Sequence, residues 1–115
     1  MTDVSDCLFC AIAAGDIPAT VVASDDDIVA FRDIDPQAPV HVLVVPRRHF
    51  RNAGELAQAD PDLAGKLLAS AASVAQQEGL ADYRIVMNTG AGAGQSVFHV
   101  HVHVLGGRDL TWPPG

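Results

Sequence analysis

Cysteine is nearly absent from this sequence, with two residues in 115, which excludes a disulfide-stapled scaffold and leaves stability to a hydrophobic core. Basic residues are also scarce: seven Lys and Arg stand against fourteen Asp and Glu, for a formal net charge of −7. An extended nucleic acid or an anionic membrane would be repelled over most of such a surface. No run approaches the ~18 apolar residues of a membrane span. The opening MTDVSDCLFC has no basic segment followed by a long apolar stretch, so nothing suggests secretion. These absences predict a cytoplasmic protein with neither nucleic-acid nor membrane partners. Three of the few basic residues, Arg47, Arg48 and Arg51, bunch around His49. A small anion would therefore be held by backbone N–H groups, histidines or a helix N-terminus rather than by a basic patch.

The length fits one domain, residues 1–115, with tails at 1–6 and 111–115. Asp6 as N-cap and Gly15 as stop predict a short helix over Cys7 to Ala14. TVVAS and IVAFR read as strands joined at Asp25, Asp26 and Asp27. VHVLVVP, Val40 to Pro46, is apolar except at His41, as expected of a central strand covered on both faces. Asp60 followed by Pro61 opens a helix of about five turns that Gly79 ends, with Leu63, Leu67, Ala71 and Val74 as its buried stripe. YRIVMN and VFHVHVHVL complete five strands. The expectation is an α+β domain with a mainly antiparallel five-stranded sheet, one long helix and one short helix.

The stretch HVHVHV carries the chemistry. On a strand His99, His101 and His103 share one face, ~6.6 Å apart in turn, while Val100, Val102 and Val104 share the other. The outer pair, ~13 Å apart along the backbone, cannot easily reach one zinc through bonds of about 2 Å. A neutral imidazole acting as nucleophile, with neighbours that orient it and handle protons, is the alternative. Attack on phosphorus suits it, because flanking histidines stabilise charge developing on phosphoryl oxygens. In the preceding TGAGAGQS, Gly90, Gly92 and Gly94 let backbone N–H groups approach a phosphate, although a plain glycine-rich loop would look the same.

GQSVFHVHVHVLGGR, together with DIDPQAPVHVLVVPRRH and the terminal WPPG, resembles the histidine-triad (HIT) nucleotide-binding family, in particular its Hint branch. The resemblance implies a HIT fold and a homodimer whose sheets join. It also implies a hydrolase, an adenosine 5′-monophosphoramidase, that cleaves the P–N bond of purine nucleoside 5′-phosphoramidates and aminoacyl-adenylates. A nucleotidyl-histidine intermediate would release AMP or GMP. By position His101 is then the nucleophile, His103 contacts the phosphate or departing group, and His41 completes the proton-handling set. Ser96 and Gln95 would hold the phosphate and leaving amine, beside Gly94 and with Asn88 fixing the site. Phe9, Ile12, Ile17, Phe31 and Ile34 would line the nucleoside end, and Asp33 would accept from the ribose hydroxyls. Dinucleoside-polyphosphate hydrolysis, or nucleotide binding without turnover, are the competing functions.

Cys7 and Cys10 form a Cys-x-x-Cys pair, half of a tetrahedral zinc site. Some relatives in the resembled family complete such a pair with two histidines, which implies a structural zinc held by Cys7, Cys10, His49 and His99. No metal is expected to be needed for catalysis. Two buried free thiols remain an alternative reading, whereas a thioredoxin-like pair lacks its βαβ context.

Overall fold

The computed structural model describes residues 6–115; of the predicted N-terminal tail, only Asp6 falls within that range. Among the described residues five strands form one antiparallel sheet in the order β1-β2-β3-β5-β4. They are β1 Val21–Ser24, β2 Ile28–Arg32, β3 Val40–Pro46, β4 Tyr83–Val86 and β5 Val102–Gly106. The expected α+β class and antiparallel sheet are present, and β3 occupies the centre, as its apolar run requires.

The expectation of one long and one short helix needs correction, because three α-helices occur among the described residues. The long one, α3, spans Pro61–Gln77 with Asp60 as N-cap accepting from the Leu63 N–H at 3.0 Å. Before it stands α2, Ala53–Ala59, whose N-cap Asn52 accepts from the Glu55 N–H at 2.9 Å. The short α1, Leu8–Ala13, starts one residue later than expected. Cys7 rather than Asp6 is its cap: the Cys7 backbone is extended and its sulfur accepts from the Cys10 N–H at 3.4 Å. The last strand is also shorter than expected, with residues 97–101 outside the sheet.

Strand alternation divides the interior in two. Ile28, Ala30, Val42, Val44, Val102 and Val104 face α2 and α3, where they pack with Leu56, Leu63, Leu67, Ala71 and Val74. Val29, Phe31, Leu43 and Val45 face the opposite way and pack with Cys7 and Phe9 of the α1 segment. The same pleat puts His41 on this second face, since it alternates with Val40 and Val42 along β3. His103 alternates likewise with Val102 and Val104 on β5. Register then pairs Leu43 with His103 and His41 with Leu105, which makes the two histidines diagonal neighbours.

Gly106 closes β5 against Leu80: a Cβ there would stand 2.7 Å from Leu80 Cδ1, so any side chain at this position requires Leu80 to shift. Residues 111–115 are exposed, and the Thr111 carbonyl accepts from Arg84 at 2.9 Å. No helix among the described residues is long and apolar enough to cross a membrane.

Candidate active site and metal centre

On the second face of the sheet a cavity of about 320 Å³ opens beside α1. Its walls include Phe9, Ile12, Ile17, Phe31, Asp33 and Ile34, and its polar end holds Ser96, His101 and His103. Residues that lie more than sixty positions apart thus meet in one pocket, mostly apolar with a few convergent polar groups. Leu8, Pro18, Ala19, Leu43 and Val97 also line it and were not singled out from the sequence, where they look like any other apolar residue. Ile34 is 99 % exposed at the rim, so it flanks the cavity rather than sealing it.

His101 is 7 % exposed, and its Nδ1 lies 2.7 Å from the His99 carbonyl oxygen. A carbonyl only accepts, so Nδ1 carries the proton and donates. Nε2 is left with a free lone pair. Burial lowers the His101 pKa, with the His99 carbonyl and the Asp33 charge pulling the other way. The imidazole therefore stays neutral at pH 7 and keeps that lone pair available.

His41 settles the tautomer of His103 by the same logic. Its Nδ1 accepts from the Gln37 backbone N–H at 3.0 Å, so the proton of neutral His41 resides on Nε2. That nitrogen is 2.9 Å from His103 Nδ1 and 3.4 Å from Asp33 Oδ2. His103 accepts at Nδ1 and so carries its own proton on Nε2 as a donor. Burial lowers the His41 pKa against the pull of Asp33 and Asp35. Burial, with His101 and His41 close by, pushes His103 down to about 4. Both are thus neutral at pH 7, and the 3.4 Å contact joins a neutral imidazole to a carboxylate.

The glycine loop folds around Gln95. Gly90 and Gly94 take positive φ values of 91° and 97°, bounding a 3₁₀ turn at Ala91–Ala93. The Gln95 side chain accepts from the Gly90 N–H at 2.9 Å and donates to the Arg51 and Val97 carbonyls. With the residue 3 % exposed and both ends of its amide occupied, Gln95 shapes the loop and does not reach into the cavity. This departs from the expected contact with phosphate and leaving amine. Asn88 and Gly94 also lie outside the cavity lining and adjoin each other, with the Asn88 amide nitrogen 3.6 Å from where a Gly94 Cβ would be.

His99 lies on the same side of the sheet, against Phe9, but it is directed to the two cysteines, where the metal expectation put it, and it does not line the cavity. It is fully buried, and its Nε2 donates to the Pro46 carbonyl at 2.8 Å, leaving Nδ1 without a proton. That nitrogen is 3.3 Å from Cys7 Sγ and 3.4 Å from Cys10 Sγ. His49 Nδ1 is 3.4 Å from Cys10 Sγ, and the four ligand atoms all lie within 4.8 Å of one another. Metal bonds of about 2.3 Å to sulfur and about 2.0 Å to nitrogen give a tetrahedral S–N edge of ~3.5 Å, which these spacings match. The donor set therefore fits a four-coordinate metal, and the Pro46 carbonyl fixes the ligating tautomer of His99. In the metal-free thiol form, burial and the neighbouring Cys7 push Cys10 up to about 11.

Comparison with known proteins identifies the family. The HIT domain matches residues 14–110. An uncharacterized HIT-like protein of Synechococcus elongatus is 49 % identical over 111 residues, 96 % of this chain and 97 % of that protein. A 14 kDa zinc-binding protein of Zea mays is 49 % identical over 117 residues, covering 98 % and 91 %. An adenylylsulfatase of Arabidopsis thaliana is 49 % identical over 115 residues, covering 96 % and 78 %. The crystal structure of a HIT family hydrolase from Legionella pneumophila superposes with a TM-score of 0.91 at 51 % identity, covering 95 % of this chain and 99 % of that one.

Proposed function

Because the chain belongs to the HIT-domain family, close to its Hint-like branch, we propose that it is a hydrolase of purine nucleoside 5′-phosphoramidates and aminoacyl-adenylates. The observation that carries this reading is the tautomer of His101: Nδ1–H is committed to the His99 carbonyl and Nε2 is a free, neutral nucleophile beside the cavity. Attack of Nε2 on the α-phosphorus forms a P–N bond to His101 and breaks the bond to the leaving group, the amine of a phosphoramidate or the carboxylate of an aminoacyl-adenylate. The imidazole becomes cationic in that step, and its hydrogen bond to the buried His99 carbonyl strengthens accordingly. The Ser96 hydroxyl and the His103 Nε2–H are the donors for the phosphoryl oxygens and the departing nitrogen, which takes up a proton. Water then attacks the nucleotidyl-histidine, expels His101 as leaving group and restores the proton, so that AMP or GMP and a free amine are released.

The remaining side chains divide the substrate between them. The apolar walls at Phe9, Ile12, Ile17 and Phe31 suit a purine base, and the Asp33 carboxylate suits a ribose diol. No step calls for a metal in the pocket. The Cys7, Cys10, His49 and His99 set is proposed to hold zinc as a structural ion, which supplies a covalent anchor for α1 and no open coordination position. The β4 edge carries exposed Tyr83 and Ile85, which supports pairing with a second copy in a homodimer. The name of the Arabidopsis relative favours a second leaving group, sulfate from adenylyl sulfate, displaced at the same phosphorus.

The test is release of a fluorescent amine from an adenosine 5′-phosphoramidate, beside adenylyl sulfate and a dinucleoside polyphosphate as competing substrates. Preference for the phosphoramidate supports the reading. Faster turnover of either other substrate replaces it, and tight AMP binding without turnover of any would make the protein a nucleotide-binding module.

A further inference from the structure

The metal centre and the cavity share parts. His99 offers Nδ1 to the two sulfurs while its backbone carbonyl holds Nδ1–H of His101, so one residue spans both sites. Phe9 lies between Cys7 and Cys10 in sequence and is 4 % exposed. Its ring stands edge-on to His101 at 5.0 Å between centroids, to Phe31 at 5.4 Å and to His99 at 6.1 Å, and it lines the cavity. The helix that carries Phe9 has six residues, far too few to persist without tertiary anchors. Leu8 and Ile12 of the same helix are further cavity walls. The larger core on the opposite face contains none of the four ligands, so that face of the sheet is packed without them.

We propose that the Cys7–Cys10–His49–His99 centre is energetically coupled to the nucleotide pocket: bound metal pins α1 and Phe9 against His101, so that metal and nucleotide each tighten the other's binding. The proposal rests on the nucleotide reading of the cavity given above. Metal does not touch the substrate in this scheme. It fixes the wall the base packs on and the carbonyl the nucleophile leans on, making His99 and Phe9 positioning residues. Linkage requires that the two effects be equal in size.

The experiment uses the full chain and two probes, zinc and AMP. Calorimetry gives AMP affinity for zinc-loaded and metal-free protein, and equilibrium competition with a chromophoric chelator gives zinc affinity with and without saturating AMP. The expected result is about 5-fold or more tightening in both directions, by the same factor. Phe9→Leu, kept zinc-loaded and then stripped, should retain the sheet by circular dichroism and show a smaller factor. Equal AMP affinity for the two forms overturns the coupling, as does an unchanged factor in Phe9→Leu. Loss of the sheet signal on metal removal overturns it too, since the centre would then hold the whole fold rather than one wall. AMP binding to neither form, with the fold intact, instead overturns the nucleotide reading on which the proposal rests.

Discussion

The Nδ1 of His101 lies 2.7 Å from the carbonyl oxygen of His99, two residues earlier in the chain, and this one contact decides which imidazole nitrogen is free to react. A side chain that lacks that nitrogen has no means of forming the intermediate. His101→Ala should lower kcat by at least ~10³-fold while AMP still binds and the zinc content stays near that of the wild type. Steady-state amine release, with metal analysis on the same samples, checks it. Residual turnover within tenfold of the wild type would remove His101 from the nucleophile's role.

In the proposed mechanism His41 acts through His103, whose Nδ1 it engages at 2.9 Å. Without that donor His103 is free to exchange tautomers, and its Nε2–H is no longer guaranteed to face the departing group. His41→Ala should reduce kcat by about 10²-fold with a much smaller change in KM. A change confined to KM would point to a binding role instead.

The acid dependence follows from burial. Desolvation pushes His103 and His99 down to about 4 in the folded protein, while unfolded chains take up protons near 6.5. Between those values the unfolded state binds more protons, so stability falls as pH drops from about 7 towards 4. Urea midpoints of metal-free protein over that range should decline, and His103→Asn should flatten part of the slope. An equally steep slope in the variant would mean that other groups carry it. The lowered His101 pKa likewise places the acid limb of kcat/KM below 6.5.

Metal binding must displace the Cys10 proton, which burial and Cys7 hold up to about 11. Zinc uptake should therefore release protons and weaken steadily as the pH falls from 8 to 5. Cys10→Ala should lose the ion and lower the thermal midpoint by ~5 °C or more. Zinc content after dialysis against chelator, with differential scanning calorimetry, reads both effects. Full retention of zinc by the variant would exclude Cys10 as a ligand.

Much of this was legible in the sequence, for physical reasons that also mark where legibility ended. Alternation in HVHVHV correctly separated valines facing α2 and α3 from histidines facing away, because the period-2 pattern survives wherever the backbone is extended. It overstated the strand, since the Val100 N–H turns to the Phe50 carbonyl and the His99 carbonyl is taken by a side chain. Those are tertiary hydrogen bonds with no local signature. The helix α2 did have one, Asn52 followed three residues later by Glu55, but Gly54 and the Asp60–Pro61 start of the next helix masked it. Gln95 shows the opposite limit: residue type suggested a ligand contact, and only the closed loop reveals that its amide is already occupied.

Asp33 provides the sharpest test of how the pocket reads its substrate. One carboxylate oxygen accepts from the Asp35 N–H at 2.8 Å, and the other stands 3.4 Å from His41 Nε2 within the cavity wall. An ionised carboxylate has acceptor capacity left over, and a ribose diol offers two donors. Hydrogen bonds to a charged acceptor contribute roughly 1.5–3 kcal/mol, so Asp33→Ala should weaken kcat/KM for a ribonucleoside phosphoramidate by about tenfold to a hundredfold. Removing Asp33 also disturbs His41, and a loss of rate alone would not separate the two roles. The 2′-deoxy substrate does. In the wild type it should be turned over about tenfold or more less efficiently than the ribo form, and in Asp33→Ala the two should converge. Discrimination of the same size in both proteins would place the ribose elsewhere and leave Asp33 acting on the histidines alone.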